Sequence, residues 1–128
     1  MPSSLLLGDS IAIGLQKFMV GCTFVAGIGV NTPTMHHRLE NTPALHSVTY
    51  DVAVVSLGAN DRAGGIRLEM HLTVLQRRVP ARRIIFVLPA LEAQRASVAR
   101  IAEAFGHSTV SFEPGKDGVH PNSYTVLA

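Results

Sequence analysis

The stretch Asp51-Val52-Ala53-Val54-Val55-Ser56-Leu57 constrains the fold more than any other part of the chain. A near-continuous β-branched and apolar run offers no polar face to water, so it reads as a strand covered by helices on both sides. That places it in the centre of a parallel sheet. Arg83-Ile84-Ile85-Phe86-Val87-Leu88 repeats the pattern and is closed by Pro89. Leu5 to Leu7, Cys22 to Ala26 and Thr109 to Phe112 are shorter runs of the same kind.

Between these runs the apolar residues recur at helical spacing. Ile11 to Phe18 predicts a short first helix and Thr34 to Leu45 a second. A third runs from Gly64-Gly65 through Leu68, Leu72 and Leu75 to Arg78, where Pro80 ends it. Ala93 to Phe105 is a fourth, with Gly106 as its cap. Pro121 is placed to open a final helix as its first residue. Strand and helix alternate five times, which predicts a three-layer α/β/α sandwich around a five-stranded parallel sheet in the flavodoxin-like order 2-1-3-4-5. The 128 residues suit one domain over 1–128, burying about two-thirds of the surface its unfolded chain exposes.

Composition narrows the function classes. With 47% hydrophobic and 16% charged residues, the chain is globular rather than disordered. The lone Cys22 has no internal disulfide partner and reads as a small buried hydrophobe. His36-His37, His46, His71 and His107 match no metal-ligand spacing, so neither a metal nor a cofactor is expected; His36 or His37, near the start of a helix, is a candidate to line a substrate entrance. The net charge is +2, and the arginine cluster Arg77-Arg78-Val79-Pro80-Ala81-Arg82-Arg83 has no aromatic residues interleaved for base stacking. It therefore reads as a solvated helix-to-strand connection, with no nucleic acid partner. Leu5 to Leu7 is too short for a signal core or a membrane span, which makes the expected location cytoplasmic. Gly27-Ile28-Gly29-Val30-Asn31-Thr32 lacks both the dinucleotide pattern and the Gly-Lys-Ser/Thr ending, so nucleotide binding is not expected.

The polar residues at the strand ends carry the chemistry. Leu5-Leu6-Leu7 stops abruptly in Gly8-Asp9-Ser10, which puts the Ser10 side chain at the carboxyl edge of the sheet. Alone, the tripeptide reads better as a turn and helix cap, through Gly8 and the side chains of Asp9 or Ser10, than as a catalytic motif. In the expected topology, however, Ser10, the Gly27 to Thr32 loop, Asn60 and the Asp117 to His120 loop emerge on one edge. A serine nucleophile needs a base, a group to orient the base and donors for an oxyanion. His120, Asp117 and Asn60 with nearby backbone amides supply these in kind, and a turn through Gly118 brings the Asp117 carboxylate towards the His120 ring. Asp61 and Asp9 read as helix caps or loop supports.

These residues resemble the SGNH or GDSL hydrolases, a family of small esterases, lipases, thioesterases and carbohydrate deacetylases. Gly8-Asp9-Ser10 is similar to the family's first motif, Gly58-Ala59-Asn60-Asp61 to its Gly-x-Asn-Asp motif, and Asp117-Gly118-Val119-His120-Pro121 to its Asp-x-x-His motif. The resemblance implies Ser10 as nucleophile, His120 as general base and acid, Asp117 as orienting carboxylate, and an oxyanion hole from the Ser10 amide, Asn60 and an amide after the second strand. Gly29 is the choice for that amide; an ungapped alignment points to Val30, and Gly27 is a third option. The implied activity is hydrolysis of a small-molecule or carbohydrate ester, with an acetyl or other short acyl group, because a compact chain without long insertions has little surface for a lipid tail. An O-acyltransferase or a non-catalytic module on the same fold are the alternatives.

Overall fold

The computed structural model describes residues 3–19, 21–121 and 123. Its strands are β1 (Ser4–Gly8), β2 (Thr23–Ala26), β3 (Tyr50–Ser56), β4 (Ala81–Val87) and β5 (Ser108–Val110). They form one parallel sheet in the order β2-β1-β3-β4-β5, as the alternation of strand and helix predicts. The β-branched run lies at the centre, with Leu5 to Leu7 opposite Ala53 to Val55 on one side and Ile84 to Phe86 on the other.

Four α-helices join the strands: α1 (Ser10–Leu15), α2 (Thr32–Glu40), α3 (Ile66–Arg78) and α4 (Glu92–Ala104). Side chains alternate across the sheet and divide the core in two. Leu5, Leu7, Ala53, Val55, Ile84 and Phe86 pack beneath α2, α3 and α4, through Met35, Leu39, Leu72, Leu75, Val98 and Ala102. Leu6 and Val87 face the other way and meet Ile11, Ala12 and Leu15 of α1, with Cys22, Phe24, Val54 and Phe112 at the margin of this smaller cluster. Cys22 is thus half-buried among apolar neighbours, and burial raises its thiol pKa.

Some element boundaries differ from expectation for local reasons. The second helix starts at Thr32 because the Asn31 side chain accepts from the Thr34 amide at 3.0 Å, an N-cap two residues earlier than composition suggests. It ends at Glu40, and Pro43–Ser47 forms a separate 3-10 turn, since Pro43 cannot donate the amide that would continue the ladder. The first helix likewise ends as a 3-10 turn over Gln16–Phe18. The last strand stops at Val110, whose carbonyl accepts from Leu88 N. Pro121 makes an isolated antiparallel bridge with Pro114, and the rest of the final helix expected after it lies outside the described residues.

Arg77 and Arg78 end α3, and Arg82 and Arg83 stand exposed on β4, so the arginine cluster is the solvated connection its composition suggests. Among the described residues, no helix is long and apolar enough to cross a membrane.

Candidate active site

The β1–α1 junction is built by Gly8 and Asp9. Gly8 has φ +147°, and a Cβ there would lie 2.1 Å from the Ser56 carbonyl oxygen. Only glycine lets β1 approach β3 so closely at its end. Asp9 is buried and caps α1, its Oδ1 accepting from the Ile11 amide and the Ser56 hydroxyl, each at 3.0 Å. Burial raises its carboxyl pKa, while the Ser56 hydroxyl and helix amides pull the other way. Ser10 is therefore the first residue of α1, on the carboxyl edge of the sheet.

The Ser10 Oγ lies 2.7 Å from His120 Nε2. On the other side of the ring, His120 Nδ1 is 2.5 Å from Asp117 Oδ2. The remaining carboxylate oxygen, Asp117 Oδ1, accepts from the backbone amides of Val119 and His120, each at 2.9 Å. The turn is closed by Gly118 N donating to Gly115 O and by Gly115 N donating to His120 O. Bonds from His120 and these amides hold the Asp117 carboxyl at about 2. With the proton on Nδ1, the imidazole donates to Asp117 and leaves Nε2 free to accept from the Ser10 hydroxyl. The Asp117 and His120 side chains are 53% and 43% exposed, so the relay opens directly to solvent.

The other two sequence-picked residues lie on neighbouring loops. Gly29 is exposed in the turn after β2, with φ +76°. The amide of Gly27 donates to Gly8 O and that of Val30 to Gly27 O. Gly29 N is the amide of the three that has no partner among the described residues. Asn60 Nδ2 donates to the Val30 carbonyl at 3.1 Å, so its side chain bridges the β3 loop to the β2 loop. Ser10, as the first helical residue, has an amide that the helix cannot satisfy.

The sequence matches no protein-family model and no curated protein. Solved structures nevertheless share its architecture. A lipase/acylhydrolase from Enterococcus faecalis superposes with a TM-score of 0.74 at 16% identity, over 99% of this chain and 91% of that one. The SGNH-hydrolase family esterase AlinE4 gives 0.60 at 18% identity, over 86% and 76%. The C-terminal catalytic domain of Streptococcus pneumoniae peptidoglycan O-acetyltransferase A gives 0.57 at 20% identity over 82% of this chain, which spans 62% of that one. The fold is that of the SGNH hydrolases.

Within this SGNH fold, the most informative contact that the sequence reading did not single out is between Asp61 and Thr32. The Asp61 carboxylate accepts from the Thr32 hydroxyl at 2.8 Å and lies 3.3 Å from its amide. Asp61 thus anchors the start of α2 from the β3 loop, and with it the Gly29 turn. The motif neighbours Asn60 and Asp61 both face the β2 loop, a signal visible only once the two loops are adjacent. His36 and His37 do not line the entrance. Because α2 begins at Thr32, His36 is carried a full turn from the sheet edge, where its Nε2 lies 3.2 Å from Glu40. His37 is exposed beside Asn41.

Proposed function

We propose that this chain is a serine esterase that hydrolyses short-chain esters, including acetyl esters of carbohydrates, through an acyl-enzyme. The observation that carries this reading is the continuous chain of contacts from Ser10 Oγ through His120 to Asp117, at 2.7 and 2.5 Å. Ser10 Oγ attacks the ester carbonyl carbon while His120 Nε2 takes its proton. The tetrahedral oxyanion collapses, the ester C–O bond breaks, and His120 returns the proton to the departing alcohol. Water, deprotonated by the same Nε2, then releases the acid from Ser10. Asp117 holds the Nδ1–H tautomer throughout and stabilises the imidazolium.

The oxyanion donors are assigned to the amides of Ser10 and Gly29 and to Asn60. Gly29 is preferred over Gly27 and Val30 because their amides already donate to carbonyls. Asn60 has a second Nδ2–H beyond the one held by Val30 O. The relay suits small acyl groups, since the His120 and Asp117 side chains are about half exposed. A second reading, transfer of the acyl group to a sugar hydroxyl, is favoured by the shared fold of an O-acetyltransferase catalytic domain.

Hydrolysis of a chromogenic butyryl ester by the wild type and by Ser10→Ala tests the proposal. Turnover by the wild type and a loss of roughly 10³-fold or more in the variant are expected. Equal rates would end the assignment. Product analysis with an added sugar acceptor separates transfer from hydrolysis.

A further inference from the structure

A cavity of about 320 Å³ opens beside the proposed oxyanion site, between the start of α2 and the β3–α3 loop. Asn31 and Asp61 line it, one residue beyond Val30 and Asn60 respectively, so it begins where the oxyanion donors end. Pro33 and Leu68 supply apolar walls, and Arg62, Arg67 and His71 stand around it. Neither Arg62 nor Arg67 has a carboxylate partner among the described residues, whereas Arg78 and Arg100 meet Glu40 and Glu69. The acidic group at the cavity, Asp61, is bonded to Thr32. Two arginines without a carboxylate partner among the described residues therefore line the cavity with one carboxylate that is already engaged, leaving the site cationic.

Its position relates it to one half of an ester. His120 arrives on the segment that leaves β5 through Phe112, which packs with the α1 side of the sheet. The cavity lies between α2 and α3, which cover the opposite side. The departing alcohol must lie beside His120, the group that protonates it, so the acyl portion extends the other way.

Resting on the esterase reading, we infer that this cavity binds the acyl chain and that Arg62 and Arg67 select acyl groups ending in a carboxylate. The preferred substrates are then hemiesters of short dicarboxylic acids. Two or three methylene groups lie along Pro33 and Leu68, and the distal carboxylate meets the guanidinium groups, whose planar donors suit it. Hydrolysis adds water across the acyl C–O bond and yields the free dicarboxylic acid and the alcohol.

Monoethyl glutarate and ethyl valerate, which share the acyl chain length and differ in whether it ends in a carboxylate or a methyl, provide the test, with ethanol release followed by NMR at low ionic strength. The wild type should favour the hemiester by about tenfold or more in kcat/KM, as expected for a charge-assisted hydrogen bond. Arg62→Gln/Arg67→Gln should bring that ratio to about one, and added salt should lower it in the wild type. An equal or reversed preference in the wild type, or a ratio unchanged in the double variant, would overturn the inference. Calorimetric titration of monoethyl glutarate into Ser10→Ala protein decides the cavity independently of turnover. Saturable binding that is lost when both arginines are replaced supports it, and absence of binding refutes it. Failure to hydrolyse either ester would instead overturn the esterase reading.

Discussion

Asp117 has no free oxygen for another role: Oδ1 takes two backbone amides and Oδ2 the imidazole. The bond from His120, then those from the Val119 and His120 amides, lower its carboxyl pKa from 3.8 to about 2. A depressed acid stabilises the folded loop above its unfolded pKa, and the effect is lost as pH falls through about 2. Any loss of the proposed esterase activity above that range comes from another group. Asp117→Asn would leave the ring without its anionic partner and favour the wrong tautomer, so kcat should fall by roughly 10² to 10⁴-fold with little change in KM. A variant with wild-type kcat would remove Asp117 from the relay. Asp9 behaves oppositely. Burial raises its pKa above 3.8, and its Oδ2 has no hydrogen-bond partner among the described residues. Its contribution therefore favours the folded state at low pH and declines as pH rises from 3.8 through the raised folded value. Urea unfolding of the wild type and Asp9→Asn across that window should show the decline in the wild type and its absence in the variant. Parallel pH profiles would contradict the burial argument.

At the scale of elements, the junction after β1 leaves no room for a side chain at Gly8. Gly8→Ala places a methyl against the Ser56 carbonyl at 2.1 Å. Overpacking of this kind costs about 1–3 kcal/mol even where neighbours can move, and the positive φ adds to it. Chemical denaturation should show a loss of at least about 3 kcal/mol, and an unchanged midpoint would contradict the Gly8–Ser56 register. The strands were legible from sequence because buried parallel strands carry their own signature in β-branched runs. Element ends were less so: Pro43 divides the second helix despite continuous apolar spacing, and β5 ends at Val110 although the alternation of apolar and polar residues runs on to Phe112. Ser10, Asp117 and His120 were legible because each stands at a strand end or within one tight turn. The Asp61–Thr32 bond joins loops 29 residues apart, and the partnered or free state of the Gly27, Gly29 and Val30 amides depends on turn geometry. Residue types alone could show neither. The arginine-lined cavity was hidden for the same reason, since Arg62, Arg67 and His71 become neighbours of Asn31 and Pro33 only after folding.

The whole molecule divides its labour between two sides of one sheet. Three helices cover the larger core, while α1 covers the smaller, so the edge between them gathers loops from β1, β2, β3 and β5. The Ser10–His120–Asp117 relay sits there, with the loops of the proposed oxyanion donors and the arginine-lined cavity on the α2–α3 side. This arrangement is proposed to activate Ser10 as a nucleophile. Reaction with a fluorophosphonate followed by intact-mass and peptide mass spectrometry tests it most directly. One phosphonyl adduct is expected, located on Ser10 and absent from both Ser10→Ala and His120→Ala. An unmodified wild-type protein, or an adduct on another residue, would contradict it.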